Sequence, residues 1–338
     1  MDIKNLVKPN IRSLRAYHAE EIPCRVKLDA NESPYGVKAL KTVKTNRYPD
    51  PEAKALRRLL AKQFKTKPEN ILHGNGSDEL IQCLITTFGG PVLFPTPTFS
   101  MYGIISQAQG EESAGIPLDE KFDLDTDNFL KAIKSRNPKL IFLSSPNNPT
   151  GNSFSEDRIL KIIRQSKGLV IVDEAYQAFS DRKSFVPLLK KYQNLIILKT
   201  LSKIGLAGLR VGFMIAYKDV IDEMNKVRLP FNLNSLSQKL AVETLKKSAL
   251  MRSEIKTIVS ERKRLFNEMK KIYGIEPYPS DANFILFRTE KSDKIYKELL
   301  KRGILIRNMK GIIEGCLRVT VGTPNENRAF LKAIKSTV

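Results

Sequence analysis

The hydrophobic pattern of this chain consists of short apolar runs separated by stretches with helical periodicity. From 51 to 64, for example, the apolar positions recur at helical spacing. Most of the runs are continuous rather than alternating, which is typical of strands buried on both faces. Strands that alternate with helices predict an α/β domain with a mostly parallel, mixed sheet between helices. The main runs are Val92–Phe94, Leu140–Leu143, Leu169–Val172, Leu195–Leu198 and Val211–Ile215.

The pattern changes in the last third of the chain. Ser235–Ile272 carries an apolar stripe that predicts one or two long helices. Two strand-like segments follow, Asn283–Arg288 and Leu317–Val321, with a helical stretch over Lys291–Lys301 between them. This part predicts a smaller α+β domain, whereas the irregular start of the chain is typical of an arm. We therefore expect an N-terminal arm at 1–30, a large domain at 31–229 and a small C-terminal domain at 230–338.

The composition is that of a soluble protein, with 41% hydrophobic and 28% charged residues. No apolar run approaches the roughly 20 residues that span a membrane. The first residues also lack the apolar segment of a secretory signal, so we expect a cytoplasmic protein without a membrane partner. Cys24, Cys83 and Cys316 are widely spaced, and the chain has only 2 histidines, so we expect neither a disulfide nor a metal site.

The net charge of +21 raises the possibility of a nucleic-acid partner. The lysines are scattered through every segment, however, and no basic patch interleaved with aromatic residues is present. We also expect no DNA-binding domain before Asn31, because the segment that precedes it here is short. A basic nucleic-acid-binding protein therefore remains only as an alternative from another class, and we expect no nucleic acid among the partners.

Distinctive side chains follow the predicted strands of the large domain. Phe99 follows the first main run, Asn148 the second, Asp173 and Tyr176 the third, and Lys203 the fourth. In open α/β sheets, ligands bind beyond the carboxyl ends of the strands. Singly, each signal has an ordinary explanation, such as a turn or a helix cap. Together they supply a lysine, a carboxylate, polar partners and an aromatic ring, which is the set that pyridoxal 5'-phosphate (PLP) requires.

A phosphate site is also predicted. Gly74–Glu79 leads from a short apolar run into a helical stretch, so Gly76, Ser77 and Asp78 would lie at a helix N-terminus, which favours anions. An ordinary N-cap would explain the same residues. Arg210 adds a fixed cation that could bind a phosphate in a bidentate manner.

These residues form part of a set of motifs distributed over nearly the whole chain. The motifs are Leu28–Gly36, Arg47–Pro51, Gly74–Glu79, Pro97–Tyr102, Asn147–Gly151, Val172–Tyr176, Thr200–Lys203 and Cys316–Gly322. With them the chain resembles the histidinol-phosphate aminotransferases, a branch of the fold-type I PLP-dependent aminotransferases. The resemblance implies a fold-type I PLP-transferase.

The resemblance implies a role for each residue of the cofactor site. Lys203 would be the Schiff-base lysine and proton shuttle, and Asp173 would pair with the ring nitrogen of PLP. Asn148 and Tyr176 would bind the ring oxygen, and Phe99 would stack on the ring. The phosphate would contact Gly76, Ser77, Asp78, Thr200, Ser202 and Arg210. Tyr48 would reach the cofactor of the other subunit, so a homodimer is implied.

The resemblance also implies the substrates. Arg318 would bind the α-carboxylate, and Tyr17, Asn31 and Arg307 would meet the distal imidazole-phosphate end. The implied reaction is a ping-pong transamination between L-histidinol phosphate and 2-oxoglutarate, giving imidazole-acetol phosphate and L-glutamate in histidine biosynthesis. An aromatic amino acid aminotransferase and a threonine-phosphate decarboxylase share this scaffold and remain as alternatives.

Overall fold

The structure is a computed structural model, and it describes residues 24–28, 31, 34 and 48–338. Its strands are β1 (Val26–Lys27), β2 (Ile71–Asn75), β3 (Val92–Thr96), β4 (Ser113–Pro117), β5 (Leu140–Ser144), β6 (Leu169–Asp173), β7 (Leu195–Thr200), β8 (Val211–Ile215), β9 (Glu276–Pro277), β10 (Phe284–Arg288), β11 (Ile304–Leu305), β12 (Arg307–Asn308) and β13 (Cys316–Thr320). Its α-helices are α1 (Lys54–Phe64), α2 (Ser77–Phe88), α3 (Met101–Ala108), α4 (Thr126–Arg136), α5 (Glu156–Gln165), α6 (Lys218–Val227), α7 (Ser235–Lys246), α8 (Ser248–Met269), α9 (Ser292–Lys301) and α10 (Pro324–Lys335).

A seven-stranded sheet forms the centre of the fold, in the order β2-β8-β7-β6-β5-β3-β4. Strand β8 is antiparallel to both of its neighbours, and the remaining pairs are parallel. Every residue of β5, β7 and β8 is buried, which explains why these strands appear in the sequence as continuous apolar runs. The predicted α/β fold with a mostly parallel, mixed sheet is confirmed.

Helices cover both faces of this sheet. Alternate residues of β5 enter different core clusters, with Ile141 and Leu143 on one face and Leu140 and Phe142 on the other. Helices α1, α4, α5 and α7 contribute to the first cluster, and α2, α3 and α6 contribute to the second. Among the described residues, no helix is long and apolar enough to cross a membrane.

The C-terminal part contains a second, four-stranded antiparallel sheet in the order β12-β13-β10-β9. This sheet has its own apolar core with α8, α9 and α10, as the predicted α+β unit requires. Strand β1, at the end of the predicted arm, pairs in parallel with β11 of this part. The segment predicted as one or two long helices forms two, α7 and α8, which meet at Lys247.

The packing of α7 and α8 bears on the limits of the two domains. Helix α7 buries Ala241 and Leu245 in the core of the large sheet. The change of core occurs along α8, where Met251 packs with the large sheet and Ile258 with the small one. The division into 1–30, 31–229 and 230–338 stays a prediction.

Candidate active site

The predicted site residues gather at one edge of the large sheet, at the carboxyl ends of its parallel strands. Asp173 ends β6, Thr200 ends β7, and Asn148 follows the end of β5. Arg210 directly precedes β8, and it lies at the same edge because β8 runs antiparallel to its neighbours. The edge where ligands bind in open α/β sheets therefore carries both acidic and basic groups.

A tight turn at Gly76 connects β2 to α2 and is a candidate anion cradle. Gly76 has a φ of 82°, and a Cβ atom added there would lie 2.5 Å from Arg210 Nη2. The Arg210 guanidinium therefore lies against the backbone at the start of α2, and it also contacts Asp78 Oδ2 at 3.1 Å. A helix N-terminus with an adjacent guanidinium suits a phosphate group. Gly76, Ser77, Asp78 and Arg210 thus come together as predicted from the sequence.

Asp173 is the buried acid of the site, with only 4% of its surface exposed. Its Oδ1 accepts a hydrogen bond from the Ala175 backbone N–H at 3.0 Å, and its Oδ2 accepts one from the Tyr102 hydroxyl at 2.7 Å. Burial raises the pKa of Asp173 to about 6, although the hydrogen bond from Tyr102 and the charge of Lys203 act in the opposite direction. This carboxylate is therefore fixed in place and suited to holding a cationic partner away from water.

Lys203 lies in a 3₁₀ turn, Ser202–Ile204, just beyond β7. Its Nζ is 5.9 Å from the centre of the Tyr176 ring. The Tyr176 hydroxyl accepts a hydrogen bond from Asn31 Nδ2 at 3.3 Å, which connects this group to a predicted substrate residue. Thr200 donates from its hydroxyl to Ser202 Oγ at 2.9 Å, so the two predicted hydroxyl groups are adjacent.

The small sheet contributes two arginines, Arg318 and Arg307, to the site. Arg318 on β13 donates from Nη1 to Asn148 Oδ1, and its guanidinium lies 4.9 Å from the centre of the Phe284 ring. Arg307 on β12 is the direct register partner of Arg318. Opposite residues of an antiparallel pair project on the same face, so two cations lie side by side here. Such a pair favours an anionic ligand that would offset its repulsion.

Asn31 and Phe99 also have defined places. The Asn31 backbone N–H donates to Thr320 Oγ1 at 3.1 Å, and its side chain accepts from the same hydroxyl at 3.0 Å. Phe99 packs edge-on against Tyr102, with 5.5 Å between the ring centres. Tyr48 is 82% exposed and stacks on Phe231 with 4.7 Å between the ring centres. Tyr17 lies outside the described residues.

Two residues of the site were not assigned a role from the sequence. Tyr102 belongs to one of the quoted motifs, but its contact with Asp173 joins positions 71 apart. Asn147 is fully buried, accepts from the Thr98 hydroxyl at 2.7 Å, and donates to the Pro97 carbonyl oxygen at 3.0 Å. It thereby holds the turn that carries Asn148 against the loop that carries Phe99. The only available signal was its place within a motif.

These residues fit PLP by the chemistry of their groups. The cradle offers backbone N–H groups and a guanidinium to a phosphate, the buried carboxylate of Asp173 suits a protonated ring nitrogen, and the amine of Lys203 lies beside an aromatic ring. Within the described part of the chain, no group of three or more His, Cys, Asp or Glu side chains could hold a metal ion.

Comparison with known proteins identifies the family. The sequence profile described as Aminotransferase class I and II matches residues 16–334. The histidinol-phosphate aminotransferase of Caldanaerobacter subterraneus is 40% identical, with 98% of this chain and 99% of that protein covered. Histidinol-phosphate aminotransferase 2 of Nitrosococcus oceani is 43% identical, with 98% and 96% covered.

A solved structure shows the same fold. The histidinol-phosphate aminotransferase of Sinorhizobium meliloti, in complex with pyridoxal-5'-phosphate, matches with a TM-score of 0.88 over 98% of each chain, at 23% identity. The chain belongs to the class I and II aminotransferases, which are PLP-dependent transferases, and within them to the histidinol-phosphate aminotransferase family.

Proposed function

We propose that this enzyme transfers the amino group between L-histidinol phosphate and 2-oxoglutarate, with imidazole-acetol phosphate and L-glutamate as the other pair, in histidine biosynthesis. The names of relatives about 40% identical over the full chain support this substrate pair. The observation that carries the proposal is the contact of Arg318, whose register partner is Arg307, with Asn148 at the edge that holds Lys203 and Asp173. 2-Oxoglutarate carries a carboxylate at each end, and L-histidinol phosphate carries a phosphate at one end. The pair of arginines suits both of these anions.

Different residues of the sheet edge would bind different parts of the cofactor. Gly76, Ser77, Asp78, Thr200, Ser202 and Arg210 would hold the phosphate. Asp173 would hold the protonated ring nitrogen, Asn148 and Tyr176 would bind the ring oxygen, and Phe99 would pack on the ring face. When bound, PLP supplies an electron sink for the electron pair that remains at the substrate α-carbon once its proton has left.

The protein's own groups would bind the substrate and move the proton. Lys203 Nζ would accept the proton from the substrate α-carbon and return it during the transfer. Arg318 would fix the α-carboxylate in a bidentate manner where the substrate has one, which sets the direction of the α C–H bond. Asp173 would serve in its ionised form, and a protonated ring nitrogen beside it would lower the pKa that burial raises to about 6. Arg307, Asn31 and Tyr17 would meet the distal end of the substrate.

We also propose a cytoplasmic homodimer in which Tyr48 reaches the site of the partner subunit. In the single chain, Tyr48 stacks on Phe231. Leu229 and Leu236, which are close to Phe231 in sequence, are also exposed. Large exposed apolar side chains of this kind favour a protein partner, and a second copy of the chain is the simplest one.

A direct comparison of substrates tests the proposal. The purified, PLP-loaded enzyme is given L-histidinol phosphate, L-phenylalanine or L-threonine phosphate, each with 2-oxoglutarate, and both glutamate and carbon dioxide are measured. Glutamate formed fastest from L-histidinol phosphate supports the proposal. A preference for phenylalanine would favour an aromatic aminotransferase, and carbon dioxide from threonine phosphate would favour a decarboxylase.

Two controls accompany this comparison. Lys203→Ala should lose both the turnover and the visible absorbance band of the PLP-loaded enzyme, and retention of both would reject the assignment of this lysine. Binding to random-sequence DNA should be absent at physiological salt. A steep decrease of DNA affinity with salt concentration would instead revive a nucleic-acid-binding function.

A further inference from the structure

Tyr102 is a buried residue of the site to which the proposed reaction assigns no role. Its hydroxyl donates a hydrogen bond of 2.7 Å to Asp173 Oδ2, and its side chain is completely buried. It is the second residue of α3, and it lies three residues after Phe99 in the sequence. Its ring is stacked on Phe142 with 4.7 Å between the centres and 12° between the planes. A buried ring in stacked contact holds its hydroxyl in one place.

The hydroxyl completes the fixation of the Asp173 carboxylate. The Ala175 N–H occupies Oδ1 and the Tyr102 hydroxyl occupies Oδ2, so each oxygen has one fixed donor and retains further acceptor capacity. Two donors on different oxygens prevent the carboxylate from rotating about its Cβ–Cγ bond. One of these donors is a backbone N–H, which every residue type except proline would supply at position 175. The other depends on the identity of residue 102.

The same hydroxyl favours the ionised form of the carboxylate. Burial raises the pKa of Asp173 to about 6, and the hydrogen bond from Tyr102 is the strongest of the influences that lower it. Burial also raises the pKa of Tyr102 well above its usual value of 10, so this hydroxyl remains a donor. Without it, the carboxyl group would bind its proton more tightly, and a neutral carboxyl group cannot hold a protonated ring nitrogen.

Tyr102 also connects this acid to the aromatic ring of the site. Its ring meets Phe99 edge-on, at 5.5 Å between the centres and 85° between the planes. The residue proposed to pack on the cofactor ring and the residue proposed to hold its nitrogen therefore share one neighbour.

We propose that Tyr102 is a positioning residue that orients the Asp173 carboxylate and keeps it charged for the ring nitrogen of the cofactor. This inference rests on the proposed PLP site. It predicts that the Tyr102 hydroxyl strengthens cofactor binding only when the cofactor ring contains a nitrogen atom. A hydroxyl that served only the packing of α3 would not distinguish a nitrogen atom from a carbon atom at that place.

The test compares two ligands on the full-length apoprotein. PLP and its 1-deaza analogue, which has carbon in place of the ring nitrogen, are titrated against wild type and Tyr102→Phe by isothermal titration calorimetry, since the chain has no tryptophan. Tyr102→Phe should weaken PLP binding about tenfold, the size of one charge-assisted hydrogen bond, and should change binding of the analogue by less than about twofold. Equal weakening of both ligands, or no weakening of PLP, would overturn the inference.

Matched variants complete the design. Tyr278→Phe removes a hydroxyl that accepts a 3.0 Å hydrogen bond from Arg288 Nε in the small sheet, and it should leave both affinities unchanged. A 3-fluorotyrosine at position 102 keeps the ring and its donor hydroxyl at the same point, and it should retain a preference for PLP over the analogue. If Tyr102→Phe fails to fold, this second variant decides, since loss of its preference would overturn the inference. Wild-type protein that does not bind PLP would reject the proposed function itself.

Discussion

Gly212 offers a sharp test of the anion cradle, because its hydrogen atom faces the backbone of the turn before α2. Gly212 lies within β8, between Gly74 of β2 and Thr200 of β7. A Cβ atom added there would lie 2.4 Å from Gly76 C, 2.4 Å from Ser77 N and 2.6 Å from Gly76 O. These are backbone atoms, which cannot rotate away, so Gly212→Ala must displace the cradle from the strand.

The cost follows from the size of this overlap. An added methyl group in a closely packed place costs about 1–3 kcal/mol. Because the opposing atoms are backbone, we expect Gly212→Ala to cost about 2 kcal/mol, near the middle of this range. If the cradle of the apoprotein moves to relieve the overlap, the cost appears as weaker PLP binding, roughly 30-fold at about 1.4 kcal/mol per factor of ten. If it does not move, the cost appears as a lower free energy of unfolding.

Two measurements capture both outcomes. PLP affinity of the apoprotein is obtained by isothermal titration calorimetry, and the free energy of unfolding of the apoprotein is obtained by urea denaturation. The control is Gly208→Ala in the 3₁₀ turn that precedes Arg210, because an added Cβ there meets no atom within 4 Å. A Gly212→Ala protein with unchanged affinity and stability, or a Gly208→Ala protein with equal losses, would refute the steric reasoning.

Three further predictions concern charge and assembly. Burial raises the folded-state pKa of Asp173 to about 6, above roughly 3.9 in an unfolded chain, so folded apoprotein binds this proton more tightly. Its free energy of unfolding should therefore fall by up to about 3 kcal/mol as pH rises from about 4 to about 6, and urea melts of Asp173→Asn should lack this fall. Arg318→Lys should reduce kcat/KM for L-glutamate about 100-fold, because an ammonium group cannot replace a bidentate guanidinium; a change below about threefold in steady-state assays would reject the carboxylate role. Lys203→Ala and Tyr48→Ala should each lose activity when assayed alone. Equal amounts of the two, unfolded and refolded together, should regain about a quarter of wild-type activity, because half of the subunits pair as heterodimers with one intact site each; a mixture that stays inactive would reject the shared site.

The parts of the fold that the sequence predicted are those that depend on burial alone. Strands β5, β7 and β8 are buried on both faces, so their apolar runs are visible without knowledge of their partners. Strand β4 was not predicted, since its residues Ser113–Pro117 include only one buried residue. It lies at the edge of the sheet, where Gly115 allows close approach to Thr96. Such a strand is specified by its neighbour rather than by its own pattern.

The candidate site also combines features that a local sequence pattern predicts with features that it does not. Lys203 and Asp173 were predicted because their positions follow strands, and a parallel sheet brings such positions to one edge. The contact of Tyr102 with Asp173 and the register of Arg307 against Arg318 depend on how distant segments pack, which no local pattern contains.

Arg210 shows how strand direction determines which residues can join a site. It precedes its strand, whereas Asp173 ends β6 and Lys203 follows the end of β7. A parallel β8 would place Arg210 at the opposite edge of the sheet, away from α2. Because β8 is antiparallel to β2 and β7, its first residue is paired with Asn75 at the end of β2, and Arg210 reaches Gly76 and Asp78. The reversed strand is thus the feature of the topology that brings a cation to the N-terminus of α2.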